Sequence, residues 1–281
     1  MEMGELIGYG LLVVMGIMLG LVGGGGSMLA LPVLVYAMGI GAVTATAYSL
    51  FLVGVTAAVG AIAQGLKRNV DLKAALLFSL PSIPAVYIVR RLVLPSMPKE
   101  LLGIGLNEWL MGLFAILMMV SGVLMITRKC EYCDKQIERK NIEKRNYGII
   151  LLEGLVVGAI TGMVGAGGGF LVVPALVMYA QLPMRLAVGT SLLIIALKSM
   201  VGFVGDWEVL PSIDWNLLLV ACALALGGMF LGAKWNGYFR EKTLKRFFGF
   251  SMMGLSTFIL LKEGFCAFSC CRFRMNNKSD S

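Results

Sequence analysis

Two glycine clusters carry the clearest chemical signal in this chain. Gly23, Gly24, Gly25 and Gly26 form the first; Gly165, Gly167, Gly168 and Gly169, interrupted by Ala166, form the second. Consecutive amides in a glycine-rich turn make a concavity that favours negative charge. Each cluster opens an apolar segment, Met28–Met38 or Phe170–Ala180, whose helical N-terminus would bring its positive dipole end to the same place. Four contiguous glycines inside a helix cost about 1 kcal/mol each, so the first cluster reads as a turn. Ser27 follows it directly. Ser49 and Ser191, with Thr190, lie beyond the clusters, where hydroxyls could donate to an oxyanion; a helix cap or a bond to the preceding turn is the competing role. Lys198 sits in the apolar run LLIIALKSMVGFVG, eight residues before Asp206, or about 12 Å along a helix. A lysine so placed normally faces a cavity and has a role. We favour attraction of an anion, with a structural pair to Glu153 as the alternative. Arg185 reads as an interfacial residue.

The clusters are two copies of one feature. Residues 16–64 and 158–206 align without a gap at an offset of 142. Gly16, Gly20, Pro32, Ala45, Ser49 and Gly60 recur as Gly158, Gly162, Pro174, Ala187, Ser191 and Gly202, while Lys198 falls opposite Thr56. Duplicated apolar segments broken at the same place point to a secondary transporter, in which paired broken helices meet near the bilayer midplane. Scattered glycines such as Gly54, Gly122 and Gly158 are better explained by close helix packing. A nucleotide-binding P-loop is ruled out because no Gly-Lys-Ser/Thr follows.

The elements that must position these residues are membrane helices. Hydrophobic residues make up 58% of the chain and charged residues 14%, with mean hydropathy +0.86; soluble domains carry about 25% charge. Eight runs are long enough, or nearly so, for a hydrocarbon layer that needs about 20 helical residues: Leu6–Val22, Thr44–Gln64, Leu72–Val89, Trp109–Thr127, Tyr147–Val164, Leu186–Gly205, Trp215–Ala233 and Arg246–Leu261. The eleven-residue segments after the glycines reach only about half that depth. They predict re-entrant or broken hairpins, tolerated only where protein or a cavity covers the exposed backbone. The expected fold is an all-α polytopic membrane protein of two homologous repeats, each a glycine-broken hairpin plus three spanning helices.

Net charge is +8, but its placement matters more. The stretch 128–146 holds seven Lys/Arg against four Asp/Glu and divides the halves; it reads as a cytoplasmic linker. The first repeat is then 1–127, the second 147–264, and 265–281 a short Cys-rich basic tail. Lys67 and Arg68 place the loop after the third helical segment inside, whereas its counterpart carries Asp206, Glu208 and Asp214 and no Lys or Arg. Equivalent loops on opposite sides imply inverted repeats. Arg90, Arg91 and Lys99 run against this scheme, since it puts their loop outside. Basic loops of this kind serve a bilayer, not nucleic acid.

The paired segments GLVGGGGSMLALPVL and GMVGAGGGFLVVPAL, followed by ATAYSL and AVGTSL, resemble those of the sulfite exporter TauE/SafE family of membrane transporters. The resemblance covers nearly the whole chain. It implies a multi-pass transporter in the cell membrane (the inner membrane in a Gram-negative source), carrying a small anion such as sulfite, a sulfonate or another organosulfur compound. A proton or sodium ion would serve as coupling ion. An anion channel of the same architecture is the second possibility. An intramembrane enzyme is the third and weakest: the chain has no histidine, and Ser49 and Lys198, an imaginable dyad, come from different repeats. No cofactor or metal is implied. Cys130 and Cys133 form one CxxC, and Cys266, Cys270 and Cys271 cluster near the end; without histidine or a second CxxC, acylation or inert thiols are preferred to zinc. Cys222 reads as a packing residue.

Overall fold

A computed structural model describes residues 3–97, 100–101, 104–127, 147–165, 167–178, 180, 182–206, 213–235 and 241–276. The proposed linker, with Cys130 and Cys133, lies outside them, as do the side chains of Cys266, Cys270 and Cys271. Ten helical segments follow in order. They are α1 (Met3–Val22), α2 (Gly24–Ala37), α3 (Ala42–Leu66), α4 (Leu72–Val93), α5 (Leu106–Thr127), α6 (Tyr147–Val164), α7 (Gly169–Met178), α8 (Met184–Gly205), α9 (Trp215–Trp235) and α10 (Glu241–Asn276). The only described extended structure is a two-residue ladder, Glu100–Leu101 with Ile104–Gly105. The last helix runs on into the segment expected to be a tail.

Among the described residues six helices are long and apolar enough to cross a membrane: α3, α4, α5, α8, α9 and the Thr243–Lys262 part of α10. The four shorter apolar helices are α1 with α2 and α6 with α7, each pair joined by a glycine turn. Proline recurs inside both half-helices, as Pro32 and Pro174. Within α2 it precedes a π-helical turn, Val33–Ala37. Large apolar side chains face outward along the bundle, among them Leu80, Leu152, Phe250 and Leu261, as expected of helices whose solvent is lipid.

Each helix n of the first half corresponds to helix n+5 of the second, and the main packing partners are unchanged when the halves are exchanged. Helix α1 packs on α9 as α6 packs on α4, while α3 packs on α8 and α5 on α10. Small residues permit the closest approaches. A β-carbon on Gly16, Gly20, Gly228 or Gly232 would run into the backbone of the facing helix of the α1–α9 pair; Gly154 and Gly158 stand in the same relation to Phe78 and Ser82 of α4. Loop ties match as well. The Asp71 amide donates to Thr190 Oγ1 at 3.0 Å, and the Asp214 amide donates to Tyr48 Oη, at the position equivalent to Thr190, at 2.5 Å.

Candidate functional site

The tips of α2 and α7 meet. A β-carbon on Gly24 would overlap the Gly169 carbonyl, and one on Gly169 would overlap that of Gly24. Ser27 fastens the contact: its Oγ donates to the Gly24 carbonyl at 2.8 Å and accepts from the Gly169 amide at 3.1 Å. The two glycine turns therefore face each other, and their surroundings differ.

The first turn is packed with apolar groups. Gly23 takes φ 76° beside Val188, and Gly24–Gly26 form one turn of 3-10 helix. A β-carbon on Gly25 would stand 3.0 Å from the Phe248 ring, and one on Gly26 would overlap Leu19 and the Met15 carbonyl.

The second turn is more open in backbone and polar in its lining. Gly165, Gly167 and Gly168 take φ values of 69°, 62° and 67°, a region side chains resist. Three buried polar side chains lie along it in sequence. A β-carbon on Gly165 would overlap Arg90 Nη2 and Thr46; on Gly167 it would overlap Val53 Cγ1 and stand 3.2 Å from Ser199 Oγ; on Gly168 it would stand 2.6 Å from Lys198 Nζ and overlap Thr161. Arg90 and Lys198 are each 1% exposed and Ser199 is fully buried.

Lys198 Nζ donates to Thr161 Oγ1 at 3.1 Å. Both Glu153 oxygens are buried without a hydrogen-bond partner, so the structure does not join this lysine to that carboxylate. An ammonium has three donors, and among the described residues one hydroxyl is its hydrogen-bond partner and no carboxylate pairs with it. Ser199 Oγ has no partner. Arg90 departs from expectation. Instead of lying in a loop outside the membrane, it sits in a π-helical turn, Val89–Val93, that carries α4 past the end of its expected run. Arg90 is buried while Arg91 is exposed. Arg90 Nη1 donates to Asp206 Oδ2 at 2.7 Å and to Thr46 Oγ1 at 2.9 Å. Its Nε and Nη2 have no partner, an arrangement that costs about 1–3 kcal/mol for each buried donor left unsatisfied.

The remaining sequence candidates are occupied by backbone. Ser49 donates to the Thr46 carbonyl at 3.0 Å and to the Gly165 carbonyl, so it braces the second turn. Ser191 donates to the Val188 carbonyl at 2.8 Å, and Thr190 receives the Asp71 amide in the α3–α4 loop. Arg185 is exposed and Cys222 is a buried free thiol. Among the described residues no cluster of His, Cys, Asp or Glu could hold a metal. A groove of about 800 Å³ opens between α3 and α8, lined by Ala61, Ile62, Leu197 and Met200 with Arg68 among its residues; it contains none of the donors along the turn. Sequence reasoning missed Arg90, Ser199 and Thr161. Ser199 adjoins Lys198, and Arg90 sits in the apolar run YIVRRLVL.

Half-helices that meet tip to tip inside a bundle of long apolar helices are the arrangement by which secondary transporters bring backbone polarity to the bilayer midplane. Fold and site together define a multi-pass membrane transporter. The chain belongs to the sulfite exporter TauE/SafE family, whose profile matches residues 9–259. It is 28% identical over 261 residues to a probable membrane transporter protein of Xylella fastidiosa strain 9a5c, covering 92% of this chain and 94% of that one. A probable membrane transporter protein of Xylella fastidiosa strain Temecula1 is 33% identical over 189 residues, 66% of this chain and 67% of its own. A third, from Methanocaldococcus jannaschii, is 27% identical over 203 residues, covering 69% and 70%. No solved structure matches the chain.

Proposed function

We propose that the protein is a secondary transporter for a small oxyanion, sulfite or a sulfonate or another organosulfur anion, held at the glycine turns near the bilayer midplane. The observation that carries this reading is the row of buried donors along Gly165–Gly168, with Lys198 at its end and Ser199 Oγ unpartnered. Uncompensated donors and a buried cation form an environment that an anion stabilises. The second turn is the centre of the site; the first, packed by Phe248, Leu19 and Val188, supports it. The repeats have inverted topology in this reading. A hairpin that returns to its own side plus three spans gives an odd number of crossings per half, and the basic loop at Lys67 and Arg68 faces the cytoplasm. The membrane is the cell membrane, and a proton or sodium ion drives transport.

Thermal stabilisation of the purified protein tests the reading. A ligand that binds only the folded state raises apparent stability by mass action. Sulfite or a sulfonate should raise the melting temperature where sodium chloride at equal ionic strength does not. Stabilisation by carboxylates alone would overturn the substrate class, and stabilisation by no anion would overturn the site.

A further inference from the structure

We propose that Arg90 is a second anion ligand, held ready by Asp206 as a built-in counter-anion. The inference rests on the anion reading of the second turn. A guanidinium offers a bidentate edge made of its Nε and one Nη, the geometry that matches two oxygens of an oxyanion. In Arg90 that edge, Nε with Nη2, is complete and unpartnered, and the residue is 1% exposed. Nη2 lies against Gly165, where any β-carbon would take its place. The opposite nitrogen, Nη1, is occupied by Asp206 Oδ2 at 2.7 Å and Thr46 Oγ1 at 2.9 Å. Asp206 thus orients the guanidinium without covering its bidentate edge. It also offsets the arginine's charge, so it competes electrostatically with any anion that arrives. Arg90 comes from the first half and Asp206 from the second, and an anion drawn to the edge would weaken a tie between the halves.

The test uses the full-length protein in detergent or nanodiscs, with sodium sulfite and sodium methanesulfonate as probes. Calorimetric affinity and melting temperature are measured for wild type, Asp206→Asn, Arg90→Lys and Lys198→Met. Asp206→Asn keeps shape and a hydrogen-bond acceptor while removing the competing charge, and should tighten binding by about threefold to tenfold. Arg90→Lys keeps the charge but loses the bidentate edge, and should weaken binding by more than about tenfold. A folded Arg90→Lys protein with wild-type affinity would overturn the proposal. So would unchanged or weaker binding by Asp206→Asn, which covers the case in which the lysine variant does not fold. If Lys198→Met weakens binding while both other variants leave it unchanged, the anion site stands and the role of Arg90 falls. If neither probe binds wild type, the anion reading itself fails, and this inference with it.

Discussion

Thr56 and Lys198 occupy equivalent positions in the two copies. Thr56 turns its hydroxyl back to the carbonyls of Leu52 and Val53, whereas Lys198 reaches across to Thr161 beside Gly168. The proposed site therefore has one lysine, not a symmetric pair. Lys198→Met should leave the protein folded and weaken anion binding by at least tenfold, since a charge-assisted bond contributes about 1.5–3 kcal/mol. Because Glu153 lacks a partner in the structure, adding Glu153→Gln should raise the melting temperature no further above Lys198→Met than Glu153→Gln alone raises it above wild type. A melting temperature rescued only in the double variant would instead reveal a structural pair. Gly168→Ala should also abolish binding, because its φ is 67° and the new β-carbon would press on Lys198 Nζ and Thr161; Gly227→Ala, with open space around it, is the matched control. Lys198 was legible from sequence because a charge inside a long apolar run has few harmless explanations. Arg90 was not, since arginines at the end of a run ordinarily mark the interface. Only the π turn and the burial of one arginine beside its exposed neighbour reveal the difference.

At the scale of elements, hydropathy placed the long helices to within a few residues, and helix ends account for most of the discrepancy. The expected span Thr44–Gln64 is Ala42–Leu66, and Leu72–Val89 continues to Val93. Half-helix α2 begins at Gly24, earlier than Met28, because three glycines expected to form an open turn wind into 3-10 helix. Their counterparts Gly167 and Gly168 take left-handed backbone instead. Glycine permits either outcome, so composition alone could not separate them. Helix pairing was also hidden. Small residues spaced by four are present in α1 and α9, but nothing in either segment names the other as partner. With the pairing known, Gly20→Val and Gly232→Val should each destabilise the fold by about 1–3 kcal/mol or more, since the added volume meets backbone rather than a movable side chain. Thermal melting of the purified variants would measure this. Retention of wild-type melting by both would mean that the α1–α9 contact contributes little to stability.

At the scale of the whole molecule, the two halves keep the same packing partners when exchanged, and the proposed inversion adds a prediction about sides. Single cysteines at Lys67 and Asp214, both exposed in the structure, should react with a membrane-impermeant reagent from opposite faces of sealed vesicles. Labelling from one face would replace inversion with a parallel repeat. The match between the two segments was legible in the sequence because its glycines and prolines stand at one fixed offset. Their divergence was visible only as substitutions whose meaning required contacts. The fastening at the centre illustrates this, since Ser27 bonds to Gly169, which is its own counterpart in the other copy. Two identical chains assembled about a common axis would have to carry the same residue at both places. A pair of serines would crowd, because a β-carbon at Gly169 falls 2.7 Å from Ser27 Oγ and overlaps the Gly24 carbonyl; a pair of glycines would have no hydroxyl to share. The observed joint is open only to halves whose two positions can differ, as they do within this one chain. The centre of the fold is thus a lock whose two halves close only because they are unlike.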